Sequence, residues 1–201
     1  MTDTTQSSTV RALGEVVRAS TSEFVAQCHR LYEAPPLGAL VKSEGDTPVY
    51  GVVGEVTTQS IDPGRRTMAL GEEDASGDAV YDRNPQLARL LTTEFRSIVV
   101  GHGDGGHLRR YLAPLPPRIH DFVFPCHEDE VAGFSDSLDF LPLLLAAPIG
   151  SPDDVVAAFL RRSSRSHPDS DAFLVQAGKE LATVLSGQFQ RINGILKRLA
   201  P

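Results

Sequence analysis

Val49-Tyr-Gly-Val-Val-Gly-Glu-Val-Thr57 sets four valines and a tyrosine in a stretch that two glycines, Gly51 and Gly54, interrupt. β-Branched and aromatic side chains fit a pleated, half-buried surface, so the stretch predicts a strand. Glycine inside a strand marks a bulge or a sharp bend, as the corner of a barrel requires.

The flanking segments carry the same punctuation. Upstream, Gly14-Glu-Val-Val-Arg-Ala19 and Glu23-Phe-Val-Ala-Gln-Cys28 are two short β-prone runs joined by Ser20-Thr-Ser22, which predicts a hairpin or meander. Pro35-Pro-Leu-Gly38 leads into Ala39-Leu-Val-Lys42, and Glu44-Gly-Asp46 reads as the turn before Val49. Downstream, the acidic, glycine-containing stretch 62–84 reads as a long surface loop, and Pro85–Leu91 has the composition of a short helix. Glu94–Val100 returns to strand, Gly101–Gly106 reads as a flexible hairpin loop, and prolines 114, 116 and 117 break the chain before Asp121-Phe-Val-Phe124. Many short strands at close spacing predict a small barrel or sandwich rather than a βαβ sheet.

The pattern changes after Gly150. Ser151-Pro-Asp-Asp154 combines an N-cap serine, a proline at the first helical position and two carboxylates at the positive end of the dipole. Val155, Val156, Phe159 and Leu160 supply that helix with an apolar face, and the serine-rich linker 163–170 leads to a longer helix ending near Leu199. Along it Leu174, Leu181, Gln188 and Ile195 recur every seven residues, and Gly178, Leu185, Ile192 and Leu199 follow four later. A stripe of this kind must be buried. It packs on its own chain, or it serves self-association or a partner, which makes Leu174, Leu181, Leu185, Ile192, Ile195 and Leu199 the candidate interaction residues. The expected fold class is therefore α+β: an arm over 1–10, a β-barrel-like domain over 11–135, a connector over 136–150 and a helical hairpin or tail over 151–201.

Charge narrows the partners. The chain carries 19 basic and 26 acidic side chains, a formal charge of −7, and 21 of the acids but only 12 of the bases precede residue 151. A surface so charged repels a phosphate backbone, so a nucleic-acid-binding barrel is disfavoured. Arg191, Lys197 and Arg198 near the C-terminus read as complements to a helix dipole. Two cysteines, Cys28 and Cys126, give no disulfide framework, which fits a reducing, cytoplasmic setting. The most apolar segment, 140–149, holds Pro142 and Pro148 and is about half the length of a membrane-spanning helix.

Several motifs contain residue types that carry chemistry. Gly101-His-Gly-Asp-Gly-Gly106 satisfies G-x-G-x-x-G, but prolines follow where a phosphate-binding helix should run. His102, Asp104 and His107, with His120, Cys126 and His127, contain several metal-ligating side chains but match no standard ligand spacing. Glu128-Asp-Glu130 reads as the capped start of a helix. Cys28-His29 and Cys126-His127 are adjacent pairs whose side chains diverge on a strand, and G-x-S-x-G does not occur. These readings predict a chain with no catalytic centre and no cofactor.

Leu13-Gly-Glu-Val-Val-Arg-Ala19, Ser22-Glu-Phe-Val-Ala26, Leu37-Gly-Ala-Leu-Val41 and Val49-Tyr-Gly-Val-Val-Gly-Glu-Val56 together resemble the HAS barrel. This is the small N-terminal β-barrel of HerA-type ATPases, related to that of F-type ATP synthase subunits. Pro114-Leu-Pro-Pro-Arg-Ile-His-Asp-Phe-Val123 and the residues 128–131 are similar to the closing strand and short helix of that family. The resemblance spans roughly residues 10–135. No phosphate loop follows it, so ATP hydrolysis is not implied. What the resemblance implies is a barrel that packs in assemblies and contacts a protein partner or another copy of itself. The rivals are a ligand- or metal-binding protein or enzyme built on the 101–107 loop with His120 or His127, and an accessory factor of a nucleic-acid-processing complex.

Overall fold

The computed structural model describes residues 11–62, 64 and 67–199. The arm expected over 1–10 lies outside the described residues. Seven strands are described: β1 (Gly14–Ala19), β2 (Glu23–Cys28), β3 (Leu40–Ser43), β4 (Val49–Ser60), β5 (Leu91–Asp104), β6 (His107–Arg109) and β7 (Phe122–Pro125). Six of them close in the order β1-β2-β5-β4-β3-β7, every neighbouring pair antiparallel, and β6 folds back on the end of β5. The fold is α+β, as expected: a closed barrel with helices packed on one side.

The hairpin joining β1 to β2 is pinned by Ser20, whose Oγ accepts the amide of Glu23 at 3.1 Å. Closure depends on β2 meeting β5 far along the chain, with Glu23 opposite Ile98 and Gln27 opposite Glu94. Inside the barrel Val16, Phe24, Val41, Val53, Phe95, Val99 and Val123 form a closed apolar core. Gly51 makes room there: a Cβ at this position would lie 2.8 Å from both the Phe24 ring and the Ser97 Cβ. The glycine read as a corner thus also admits the largest side chain of β2.

The outer wall is apolar as well. Leu40, Val52, Ile98 and Val100, which alternate with the interior residues, join a second core shared with the helices. Two short helices, α1 (Gly77–Arg83) and α2 (Leu87–Leu90), lie between β4 and β5, and the helical layer consists of α3 (Glu128–Ser135), α4 (Leu141–Leu145), α5 (Pro152–Ser163), α6 (Ser170–Val184) and α7 (Phe189–Leu199). Leu141, Leu144, Phe159, Leu160, Leu181 and Ile195 are fully buried within it. The residues 136–150, expected as a connector, hold α4 and contribute Leu138, Phe140 and Ala147 to this shared core.

Several local expectations need correction. The stretch 62–84 contains a helix, which with the short helix Leu87–Leu90 lies between β4 and β5; it spans Gly77–Arg83 and starts at Ser76, whose Oγ accepts the amide of Ala79. The supposed loop 101–106 is mostly strand. β5 continues to Asp104, and only Gly105 and Gly106, with φ of 54° and 82°, form the turn into β6. This is the left-handed pair a two-residue hairpin demands. The long C-terminal helix is two helices: Gly187, at φ 82°, reverses the chain after Leu185, and α7 folds back so that Leu196 lies over Gly178 of α6. The seven-residue period continues across the break, which hides it from a periodicity argument.

Candidate functional site

The stripe residues come first. Leu181, Leu185, Ile192, Ile195 and Leu199 are buried in the shared core and Leu174 is half-buried against it, so the stripe is covered by its own chain. Arg191 and Arg198, read as dipole complements, reach the start of α5 instead. Arg191 Nε donates to Asp153 at 2.7 Å, and a second guanidinium nitrogen donates to the Leu145 carbonyl at 3.2 Å. Arg198 pairs with Asp154 at 2.5 Å. The two carboxylates that favour the α5 N-terminus therefore also clamp α7.

The candidate metal ligands are dispersed. His102, expected in a flexible loop, is buried within β5, with Nδ1 3.4 Å from the Tyr111 carbonyl and its ring edge-on to Tyr111. His107 is exposed at the start of β6, and Asp104 pairs with Arg109 at 3.6 Å. His120 lies just before β7, where its Nδ1 is 3.0 Å from the Glu15 carboxylate and His29 Nε2 is 3.3 Å from the other oxygen. Those two hydrogen bonds, that to His120 the stronger, hold the Glu15 carboxyl below its usual range. Among the described residues no three His, Cys, Asp or Glu side chains converge as a metal site.

Glu130 accepts the backbone amide of His127 at 3.1 Å and pairs with Lys42, so the acidic triplet caps α3 as expected. Burial pushes the Cys126 thiol up to about 12, with Glu130 adding to the effect, and burial pushes Cys28 up to about 11. Neither is a thiolate nucleophile near neutral pH.

A cleft of about 530 Å³ lies between the end of α3 and the start of α6. Leu138 and Phe173 form its apolar floor, and Asp136, Asp139, Asp169 and Glu180 line it. Among the described residues none of these four carboxylates pairs with a lysine or arginine. Asp169 caps α6 by accepting the amide of Ala172 at 2.8 Å, and Asp139 accepts from Ser137 at 2.6 Å. His167 stacks on Phe173 with ring centres 4.2 Å apart, and its Nε2 lies 2.8 Å from the Oγ of Ser135.

That serine–histidine pair resembles a nucleophile and base, but backbone carbonyls of α3 compete for the serine's proton. Ser135 Oγ donates its single proton to the Val131 carbonyl at 2.7 Å. With that bond made, the oxygen meets His167 as the acceptor of an Nε2 hydrogen, and in that tautomer Nε2 has no lone pair with which to activate the serine. The pair is a latch between α3 and the segment that leads into α6. Sequence reading missed it because 32 residues separate the partners and His167 stands in a serine-rich linker; its one signal was a histidine just before the Pro-Asp that opens a helix.

No family model and no curated protein matches this chain.

Proposed function

We propose that this protein is a non-catalytic, HAS-barrel-like interaction module that receives a basic, partly apolar segment of a partner protein in the cleft between α3 and α6. The observation that carries the reading is a cleft with four carboxylates unpaired by lysine or arginine over a floor of Leu138 and Phe173. In a concave site the low-dielectric walls strengthen the field of such charges, and a lysine or arginine side chain offers both a cation and an apolar stem. The segments that carry the likeness to the HAS barrel overlap β1, β2, β4 and the starts of β3 and β7, strands of one closed barrel. The rigid barrel would present the cleft, and the latch from Ser135 to His167 would hold its two walls at a fixed spacing.

A fluorescent peptide of alternating lysine and leucine tests this by anisotropy. The expected result is salt-sensitive binding that weakens about tenfold or more, some 1.4 kcal/mol, when Asp136 and Asp139 are changed to lysine. Neutralising Glu72 and Glu73, in the acidic stretch before the Gly77–Arg83 helix, should leave it unchanged. Equal losses in both variants would mean that overall charge, not the cleft, attracts the peptide.

A further inference from the structure

We propose that two copies of this chain pair through the outer edge of β4, antiparallel about a twofold axis at Thr58. This self-association lies outside the cleft and stands or falls separately from it.

β4 is two structures in one strand. Up to Val53 it is a wall of the barrel, with β5 on one side and β3 on the other; the last contacts to the β3 side are Val53 N–H to the Ala39 carbonyl at 3.0 Å and Gly38 N–H to the Val53 carbonyl at 2.8 Å. A bulge then falls between Val53 and Glu55, and beyond it β4 pairs with β5 alone, Glu55 opposite Arg96 through Ser60 opposite Leu91. The helical layer reaches this point, with Ile149 beside Gly54. Beyond it five consecutive residues, Glu55 to Gln59, are exposed, although strand residues alternate between faces. On the partner strand Thr92, Thr93 and Phe95 are buried. Among the described residues no strand pairs with the ribbon along its β4 side.

The exposed edge has a defined hydrogen-bonding phase. Ile61 donates its amide to Leu90, on the β5 side. Alternation then turns the amides and carbonyls of Val56, Thr58 and Ser60 outward. Two such edges form an antiparallel ladder when Thr58 meets Thr58 and Val56 meets Ser60 of the second copy. A pairing centred nearer the barrel would run into the position of β3. In the Thr58-centred register Glu55 faces Ile61 and Asp62 faces Gly54, so no acid opposes an acid.

Composition favours a second copy as occupant. Natural monomers protect a free edge with lysine, proline or inward charge, and Val56-Thr-Thr-Gln-Ser60 has none of these. Glu55, at the start of this edge, is matched by Arg96 at 3.6 Å. Val56, Ile61, Met68 and Leu70 are exposed, Met68 by 76%, and Met68 and Leu70 line a hollow beside Ser60. Closing the twofold would cover apolar surface at both ends of the ladder.

Sedimentation velocity of the full chain over a concentration series tests the proposal, with backbone hydrogen exchange at low and high concentration. The expected result is a monomer–dimer equilibrium with concentration-dependent protection at Val56, Thr58 and Ser60. Thr58→Pro, which removes an outward amide, and Thr58→Lys, which sets like charges across the axis, should each weaken dimerisation at least about tenfold with far-UV circular dichroism unchanged. Should Thr58→Pro misfold, Thr58→Lys and the exchange pattern decide. A chain that stays monomeric, or a dimer that withstands Thr58→Lys, overturns the proposal. The lysine variants of Asp136 and Asp139 should dimerise normally, so loss of cleft binding is read apart from loss of pairing.

Discussion

His167 Nε2 lies 2.8 Å from a serine oxygen, that of Ser135, whose only proton is directed to the Val131 carbonyl. Proximity of the kind a catalytic dyad shows is here combined with a competing acceptor for the serine's proton. Distance alone would nominate Ser135 as a nucleophile; a hydroxyl that donates to Val131 has no second proton for His167.

The consequence is measurable in two ways. A fluorophosphonate probe should fail to label Ser135 at neutral pH. Ser135→Ala should lower unfolding stability by about 1 kcal/mol, the usual worth of a hydrogen bond lost at one partner. Labelling that disappears in the alanine variant would show that the serine is activated after all.

The shared core predicts that barrel and helices unfold together. Leu40 and Val41 are neighbours on β3, yet Leu40 packs among the helices and Val41 inside the barrel. Ile195→Ala should cost about 2–5 kcal/mol, the range for a large apolar side chain removed from a packed site. The two thiols report the two cores: Cys28 packs with the barrel interior and Cys126 against the helical core. With thiols pushed up to about 11 and about 12, both should react at least about a hundredfold more slowly at pH 8 in the folded chain than when unfolded. In urea, wild type and variant should each expose both thiols at a single midpoint that matches the loss of far-UV circular dichroism. Cys28 protected beyond the helical transition would mean that the barrel survives alone.

Legibility differed with range. The hairpin through Ser20-Thr-Ser22, the strand at Val49 and the start of α5 at Pro152 are local events, written in turn, propensity and capping residues, and they stand where the sequence placed them. Closure of the barrel through Glu23 and Ile98, and the latch from Ser135 to His167, join residues with no shared periodicity. The break at Gly187 escaped because α7 continues the same seven-residue phase after reversing, so both helices turn their leucines and isoleucines to one core. The open end of β4 reads in sequence as strand. Only the position of β3, which leaves at Val53, makes it an edge.

Glu15 carries the pH prediction. Its carboxylate is held by His120 at 3.0 Å and His29 at 3.3 Å, and these bonds keep its pKa below the ordinary glutamate value of 4.5. A carboxyl with a lowered folded pKa binds its proton more readily in the unfolded chain, so stability falls as pH drops. The contribution is complete above the ordinary value and is lost as pH falls through the lowered one. Melting temperature recorded between pH 7 and pH 3 should therefore separate wild type from Glu15→Gln at the neutral end and bring the two curves together at the acid end. Carboxyl NMR titration locates the cause: replacing His120, the larger influence, should return the Glu15 midpoint toward its ordinary range more than replacing His29. Parallel melting curves for wild type and Glu15→Gln across the whole range would show that this bridge, formed at an exposed rim, contributes nothing to acid stability.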